Sequence, residues 1–219
     1  MNKKIKIFLS AVIVSLSTLV IPLKAYCNEL KCEPAFIQNV TESAKYITNK
    51  VQTIEDMNKK MKAIDSIEDK KEWFTAYKNI IAEYSNIIDP PETIYDYFTD
   101  EELDLLFRVI QAEVGDEYSF DEKVNVSSVV FNRLGHKQFP NKIIDVLMEE
   151  NQFQPISDGR YKTVEISEET ILACEYAFQI ADTTNGALFF DSNRKLNYYF
   201  MFDDKAHNFY CIKDDTNER

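Results

Sequence analysis

A long stretch of this sequence, from Phe36 to Ile88, contains neither proline nor glycine. Apolar residues recur in it at steps of three and four, which is the spacing of one face of an α-helix. A polar segment at 66–71 separates two apolar sets, so the pattern predicts a helical hairpin or a short coiled coil. Asp89-Pro90-Pro91 then ends the second helix, because proline lacks a backbone N–H and disfavours helix in the residue before it.

We take Pro90-Pro91 as the boundary between this helical appendage, residues 34–88, and a second domain, residues 92–213. Two interpretations of the appendage stay open. In the first, it is a spacer, a self-association arm or a docking surface for a protein partner. In the second, its helices pack on the following domain as part of one core.

The N-terminus has the features of a secretory signal. Three lysines lie in the first six residues, the run from Ile7 to Leu23 is uncharged, and Ala25 offers a cleavage site. We therefore expect residues 1–25 to be a signal peptide and the protein to be exported, either extracellular or associated with the cell wall. The alternative is an uncleaved membrane anchor at 7–23, since a run of this length is borderline for spanning a bilayer.

Charge and cysteine content exclude some partners and leave one question open. The net charge of −12 argues against nucleic acid, because a duplex binder needs a basic face. An exported chain can form disulfides, and Cys27–Cys32 with Cys174–Cys211 is the most local pairing of the four cysteines. Alternatively, they are small apolar residues. Their spacing matches no zinc site, and we expect neither a metal nor a cofactor.

The second domain reads as a helical body followed by a small sheet. Thr99 with Glu102, and Ser119 with Glu122, have the spacing of capping boxes that begin helices. Further helices are predicted from Lys142 and over about 168–181, with an aromatic and polar loop at 152–161 between them. Aromatic segments at 187–190, 198–202 and 207–212 are typical of strands. We therefore predict an α+β fold with a small antiparallel sheet.

Two groups of polar residues lie at the ends of apolar helices, where buried polar side chains are unusual. Glu113 falls in the last turn of an apolar helix that Gly115 ends, where the helix dipole and partial burial both raise a carboxyl pKa. That suits a general acid, although a glutamate at a helix end is more often simply solvated. Asn132 and Arg133 end an apolar helix and need partners, and we interpret them as bracing the fold rather than as catalytic.

The order of these blocks is more specific than any one of them. The glutamate block Ala112–Glu117 precedes the Asn132-Arg133 helix end, the segment from Gln152 to Gly159, Gly186–Phe190 and His207–Tyr210. Over roughly residues 100–212 this series resembles the cell-wall hydrolase family of the spore cortex-lytic enzymes SleB and CwlJ. The resemblance implies a lysozyme-like catalytic scaffold, peptidoglycan as the substrate, lytic transglycosylase activity and Glu113 as the catalytic residue.

The resemblance also implies which residues contact the glycan strand. We expect the substrate to be bound by residues of the same blocks and of the aromatic strands, namely Glu117, Asn132, Gln152, Phe153, Asp158, Tyr199, His207 and Tyr210. Two departures from the family pattern limit what the resemblance implies. The pair Gly115-Asp116 stands where family members often have Arg-Gly or Gly-Gly, and residues 34–88 do not resemble the peptidoglycan-binding domain of SleB. A role in germination is therefore not inferred.

Three other functions compete with this one. A hydrolase would need a second carboxylate to activate water or form an adduct, and Glu117, Asp121 and Asp158 are the candidates. A catalytically silent wall-binding or assembly protein would hold glycan without cutting it. An amidase would usually need zinc, which is hard to bind with only His136 and His207.

Overall fold

The computed structural model of the protein describes residues 34–193, Leu196 and residues 198–212. The chain divides into two compact units. One contains Ala76–Pro90 with the described part of Met1–Ile67, and the other contains Glu68–Thr75 with the described part of Pro91–Arg219. The predicted signal peptide, Cys27 and Cys32 lie outside the described residues. Within the described ranges, no helix combines the length and apolar character that crossing a membrane requires.

The first unit is built on two long helices. Helix α1 is Pro34–Ile64, and α2 is Lys70–Tyr84, whose first residues belong to the second unit. Lys60 on α1 forms an ion pair with Glu83 on α2, with 2.5 Å between Nζ and Oε1. The Tyr84 hydroxyl donates a hydrogen bond to the Asp56 carboxylate between the same two helices. The predicted helical hairpin is confirmed.

The second unit contains six more α-helices and a single turn of 3₁₀ helix. In chain order they are α3 Ile94–Tyr97, α4 Asp100–Val114, α5 Phe120–Leu134, α6 Ile143–Leu147, α7 Gln154–Asp158, the 3₁₀ turn Arg160–Lys162, and α8 Glu168–Gln179. Both predicted capping boxes are present, at the starts of α4 and α5. The segment at 152–161 was predicted as a loop, and that was wrong, because Gln154–Asp158 and Arg160–Lys162 are short helical turns.

Helix α5 is the centre of this unit. Val124, Val126, Val129 and Val130 have no solvent exposure, and α5 packs against α4, α6 and α8. Burying each such side chain contributes roughly 1.5–3 kcal/mol. The apolar character of this helix on more than one face, noted in the sequence, follows from that central position.

Three short strands complete the second unit. They are β1 Phe189–Asp191, β2 Tyr199–Asp203 and β3 Asn208–Cys211, in the spatial order β1-β3-β2 with both pairings antiparallel. The register between β2 and β3 shifts between Phe200 and Phe202, which marks a bulge. The prediction of an α+β fold with a small antiparallel sheet is confirmed.

Cys174 decides between the two interpretations of the C-terminal cysteines. Its thiol is free and buried, and its Sγ lies 3.3 Å from the Ser127 Oγ. Burial raises the pKa of this thiol to about 12. The pairing of Cys174 with Cys211 is therefore wrong, and Cys174 is a small residue of the core.

Candidate active site

Glu113 occupies the last turn of α4, where the helix meets the rest of the second unit. Gly115 ends the helix with a φ of 59°, and its N–H donates to the Gln111 carbonyl at 2.8 Å. A left-handed φ favours glycine, so the helix stops two residues after Glu113. The side chain of Glu113 is only 10% exposed. A carboxyl so little exposed needs specific partners if it is to ionise.

One hydrogen-bond donor and one positive charge reach the Glu113 carboxyl from the segment that follows Phe153. The backbone N–H of Gln154, the first residue of α7, donates to Oε1 at 3.0 Å. The Arg160 Nη2 lies 4.0 Å from Oε2. Burial, with a smaller contribution from the Asp158 carboxylate, raises the pKa of Glu113 to about 7, while the charge of Arg160 and the Gln154 N–H oppose the rise. Glu113 can therefore exchange a proton near neutral pH.

Arg160 connects the 3₁₀ turn to the end of α4. Its Nε donates to the Ala112 carbonyl at 3.2 Å, and its Nη1 donates to the Asp158 Oδ2 at 3.0 Å. Its backbone N–H donates to the other Asp158 oxygen, Oδ1, at 3.0 Å. Gly159, with a φ of 79°, supplies the left-handed turn that brings Asp158 and Arg160 together. These bonds hold a positive charge beside the Glu113 carboxyl.

Arg133 is a buried cation in the same neighbourhood. Its side chain is 2% exposed, and its Nε donates to the Leu188 carbonyl at 2.7 Å. Three rings surround its guanidinium, with Cζ-to-centroid distances of 5.3 Å to Phe139, 5.1 Å to Phe153 and 5.5 Å to Phe189. The sequence-based interpretation of Arg133 as a brace agrees with these contacts.

The charge of Arg133 is nevertheless incompletely neutralised. Burial lowers its pKa to about 10, and the carboxylates of Glu149 and Glu113 oppose that shift. Among the described residues, no group accepts a hydrogen bond from its Nη1, and the buried Glu149 Oε2 is likewise without a hydrogen-bond donor. Arg133 therefore adds a second positive charge that favours the Glu113 anion.

A polar network fixes the turn that follows Glu113. The Gln111 Oε1 accepts from the Ser167 N–H at 3.1 Å, and its Nε2 donates to the Asp116 Oδ1 at 3.1 Å. The fully buried Lys123 Nζ lies 2.9 Å from the Asp116 Oδ1 and 3.4 Å from the Glu169 Oε1. The Gln111 and Lys123 donors lower the pKa of Asp116 to about 2. Asp116, one of the departures from the family pattern, therefore has a structural role here.

Part of the second unit is similar to a known protein family. Residues 117–215 match the family model described as Cell Wall Hydrolase. This segment is similar to the cell wall hydrolase family, and the second unit, which contains it, is named the cell wall hydrolase domain after that similarity. The resemblance recognised in the sequence is thereby confirmed for the family. The matched stretch begins at Glu117, four residues after Glu113, so the assignment of Glu113 rests on its own geometry.

Two solved structures resemble the cell wall hydrolase domain. One is described as the catalytic domain of the germination-specific lytic transglycosylase SleB from Bacillus anthracis; the TM-score is 0.49 and the identity 18%, over 54% of this chain and 100% of that one. The other is described as the catalytic domain of the Bacillus cereus SleB protein; the TM-score is 0.47 and the identity 20%, over 52% of this chain and 92% of that one. No curated protein sequence matches this chain.

Some of the predicted substrate-binding residues of the cell wall hydrolase domain lie close to Glu113. Asp158 is within electrostatic range of it and is exposed. Phe153 is buried under the Arg133 guanidinium, so a direct contact with a sugar would require this ring to move. The Asn132 Nδ2 donates to the Thr184 Oγ1 and the Ala187 carbonyl, both at 3.1 Å, and so braces the fold.

The other predicted contacts are spread over the strands and the α4–α5 turn. The Tyr210 ring is buried, and its hydroxyl donates to the Asp191 Oδ1 at 3.0 Å, so it too cannot contact a sugar without movement. His207 is nearly buried, with its ring 5.0 Å from that of Phe190. Glu117 is exposed and lies over Gly115, where a Cβ would come within 2.3 Å of its carboxylate. Gln152 is half-buried and Tyr199 is exposed, and substrate contact by both stays a prediction.

Candidate metal ligands are the last feature of this neighbourhood. In the described ranges, no group of three or more His, Cys, Asp or Glu side chains is arranged to hold a metal ion.

The sequence-based predictions missed Arg160 and Glu149 as members of this site. Arg160 stood in a segment predicted to be an aromatic and polar loop, and the only local signal was its position after Asp158-Gly159. Glu149 looked like an ordinary charged residue at a helix end. Their proximity to Glu113 and Arg133 arises from tertiary packing, which the linear pattern does not contain.

Proposed function

We propose that this cell wall hydrolase domain cleaves the glycan strand of peptidoglycan and that Glu113 is its catalytic acid and base. One observation supports this most strongly. A carboxyl that is 10% exposed and has a pKa of about 7 also has a hydrogen-bond donor and a nearby guanidinium that stabilise its anionic form. A group with those properties can give up a proton and take one back near neutral pH.

In the first step, Glu113 donates its proton to the glycosidic oxygen between MurNAc and GlcNAc. The bond between that oxygen and the muramic C1 breaks, and the GlcNAc unit leaves with the proton. Positive charge develops at C1 as the bond breaks. The Gln154 N–H at 3.0 Å and the Arg160 guanidinium stabilise the carboxylate that remains on Glu113.

In the second step, the same carboxylate takes the proton of the muramic C6 hydroxyl. The C6 oxygen attacks C1, which closes a 1,6-anhydro ring and returns Glu113 to its acid form. No water is consumed, and the second carboxylate that a hydrolase needs is not required.

The bonding of the candidate second carboxylates favours this transglycosylase route. Asp158 accepts two hydrogen bonds from Arg160, and Asp121 pairs with Lys70 at 3.0 Å. Glu117 lies over Gly115, where the helix ends, rather than continuing α4. Asp158 and Asp121 are therefore held by basic partners, whereas Glu113 has the raised pKa that proton donation needs.

Mass spectrometry of peptidoglycan digests tests this proposal. We expect the purified protein to release 1,6-anhydro-muropeptides and Glu113→Gln to release none. Glu165→Gln, which alters an exposed carboxylate of the same unit, is the matched control and should keep the activity. Products with reducing ends would establish a hydrolase instead. Binding to peptidoglycan without any product would favour the silent wall-binding alternative.

The cellular site of action is part of the same proposal. We infer that the protein is exported and acts at the cell wall, because its proposed substrate lies there and residues 1–25 have the pattern of a secretory signal. N-terminal sequencing of protein recovered from the cell envelope should begin after Ala25. A start at Met1 would favour the anchor interpretation. The hairpin α1–α2 is proposed as a spacer or docking arm, and size measurements with and without it test self-association.

A further inference from the structure

Tyr198 presents an aromatic face at the surface of the second unit. Its ring stacks on Phe189 with 4.0 Å between centroids and 3° between planes. At the same time, Tyr198 is 46% exposed. A ring covered by a parallel neighbour on one face and still half exposed has its other face open to a ligand.

The ring beneath Tyr198 is itself fixed. The Arg133 guanidinium lies 5.5 Å from the Phe189 centroid, and Arg133 is buried and bonded to the Leu188 carbonyl. Arg133, Phe189 and Tyr198 therefore form a layered stack that begins in the core and ends at the surface. A binding group held in place before the ligand arrives loses little conformational entropy on binding.

This stack lies in the same neighbourhood as Glu113. The Arg133 guanidinium also lies 5.1 Å from the Phe153 centroid, and the next residue, Gln154, donates its backbone N–H to the Glu113 Oε1 at 3.0 Å. We infer that Tyr198 is a stacking platform for one sugar ring of the glycan strand, at a subsite beside the bond that Glu113 cleaves. The identity of this ligand rests on the proposed function.

The chemistry of the platform fits a sugar better than a charged group. The ring faces of a pyranose present C–H groups, which pack on an aromatic face without requiring opposite charge. The chain carries a net charge of −12, so long-range attraction toward an anionic wall is unavailable. Short-range stacking on a fixed tyrosine provides recognition that does not depend on long-range electrostatic attraction.

The neighbouring Tyr199 lacks this arrangement. It is exposed and is the first residue of β2, whereas Tyr198 precedes the strand. Among the described residues, Tyr198 has a parallel ring partner, whereas Tyr199 has no ring contact. The stacking role is therefore assigned to Tyr198, and glycan contact by Tyr199 stays a prediction.

Calorimetry on a cleavage-deficient protein tests the platform separately from catalysis. In the full chain carrying Glu113→Gln, we would measure the Kd for soluble GlcNAc–MurNAc oligomers without peptide. Adding Tyr198→Ala should weaken binding by at least about five-fold, the level expected for a contact residue worth more than 1 kcal/mol. Tyr198→Phe should retain the affinity, because the ring provides the contact. Tyr46→Ala, which removes an exposed tyrosine of α1, should leave the Kd unchanged.

A kinetic measurement completes the test. In the otherwise unaltered enzyme, Tyr198→Ala should raise KM for peptidoglycan and leave kcat within about two-fold, since loss of uniform binding affects KM alone. An unchanged Kd in Tyr198→Ala would overturn the platform and leave the proposed function standing. If Glu113→Gln binds no oligomer and the unaltered protein releases no muropeptide, both ideas fail. A kcat that falls with KM constant would also refute the platform, because the residue would then act in the chemical step.

Discussion

Replacing Glu113 by glutamine should stabilise the folded protein, and the gain should grow with pH. Glutamine has nearly the shape of glutamate, and its amide oxygen can still accept the Gln154 N–H that now lies 3.0 Å from the Glu113 Oε1. The substitution therefore removes the ionisable proton and little else. The substitution thereby removes the free-energy cost of ionising a buried, desolvated carboxyl.

The sign and size of the effect follow from the shift in pKa. The pKa of Glu113 rises from 4.5 to about 7 on folding, because burial disfavours the charged form. Below the lower value, the carboxyl is protonated in both the folded and the unfolded protein and costs nothing. Stability is then lost as the pH rises through the folded value. A shift of this size corresponds to roughly 3 kcal/mol once both states are ionised.

Urea unfolding followed by tryptophan fluorescence provides the measurement. The only tryptophan, Trp73, lies in the segment Glu68–Thr75 that belongs to the second unit, so it reports on the unit that contains Glu113. Between about pH 5 and about pH 8, the stability advantage of Glu113→Gln should increase by roughly 2.5 kcal/mol. For the control Glu165→Gln, the difference in unfolding free energy from the unaltered protein should stay almost constant over the same pH range. If the advantage of Glu113→Gln were equally constant, the carboxyl would not be desolvated and the reasoning would be refuted.

Three further predictions concern other parts of the second unit. The value of kcat/KM should fall about ten-fold per pH unit above about pH 7 as Glu113 loses its proton. Because the charge of Arg160 lowers the pKa of Glu113, Arg160→Leu should move this fall in kcat/KM to higher pH. A shift to lower pH would contradict the electrostatic role of Arg160. Gln111→Leu should lower the free energy of unfolding by roughly 2–3 kcal/mol in urea titrations, because buried donors lose their acceptor. Cys174 should react with iodoacetamide only in denaturant, as peptide mass spectrometry would show; labelling of the native protein would mean that the thiol is reachable.

The helices could be predicted because their signals are local. A capping box needs two residues three positions apart, and both predicted boxes formed, at Thr99 and at Ser119. The position of Glu113 before a glycine stop was equally local, since a left-handed residue ends a helix wherever it occurs. The strands were found by their aromatic composition, although their pairing order was not, because register depends on contacts between distant segments.

The partners of the buried charges could not be predicted in the same way. The sequence showed that Arg133 on an apolar helix must find a partner, and that partner is the carbonyl of Leu188, 55 residues later. Phe153 and Tyr210 were predicted to contact the glycan strand, yet both rings are buried, because aromatic composition alone does not distinguish a core position from a surface position. Burial depends on which elements cover a strand or loop, and that is decided only when the helices pack.

A single carboxyl that works first as acid and then as base needs two opposing influences, and in this protein they come from different segments. The apolar surroundings at the end of α4 favour the protonated form of Glu113, while the Gln154 N–H and the Arg160 guanidinium favour its anion. Burial alone would hold the proton too tightly to release it, and the donors alone would leave the carboxyl ionised at neutral pH. A useful pKa therefore exists only where α4 and the segment from α7 to the 3₁₀ turn meet. The hydrogen bond from the Arg160 Nε to the Ala112 carbonyl fixes the position of one segment against the other. The pKa of Glu113 therefore depends on the contact between the two segments.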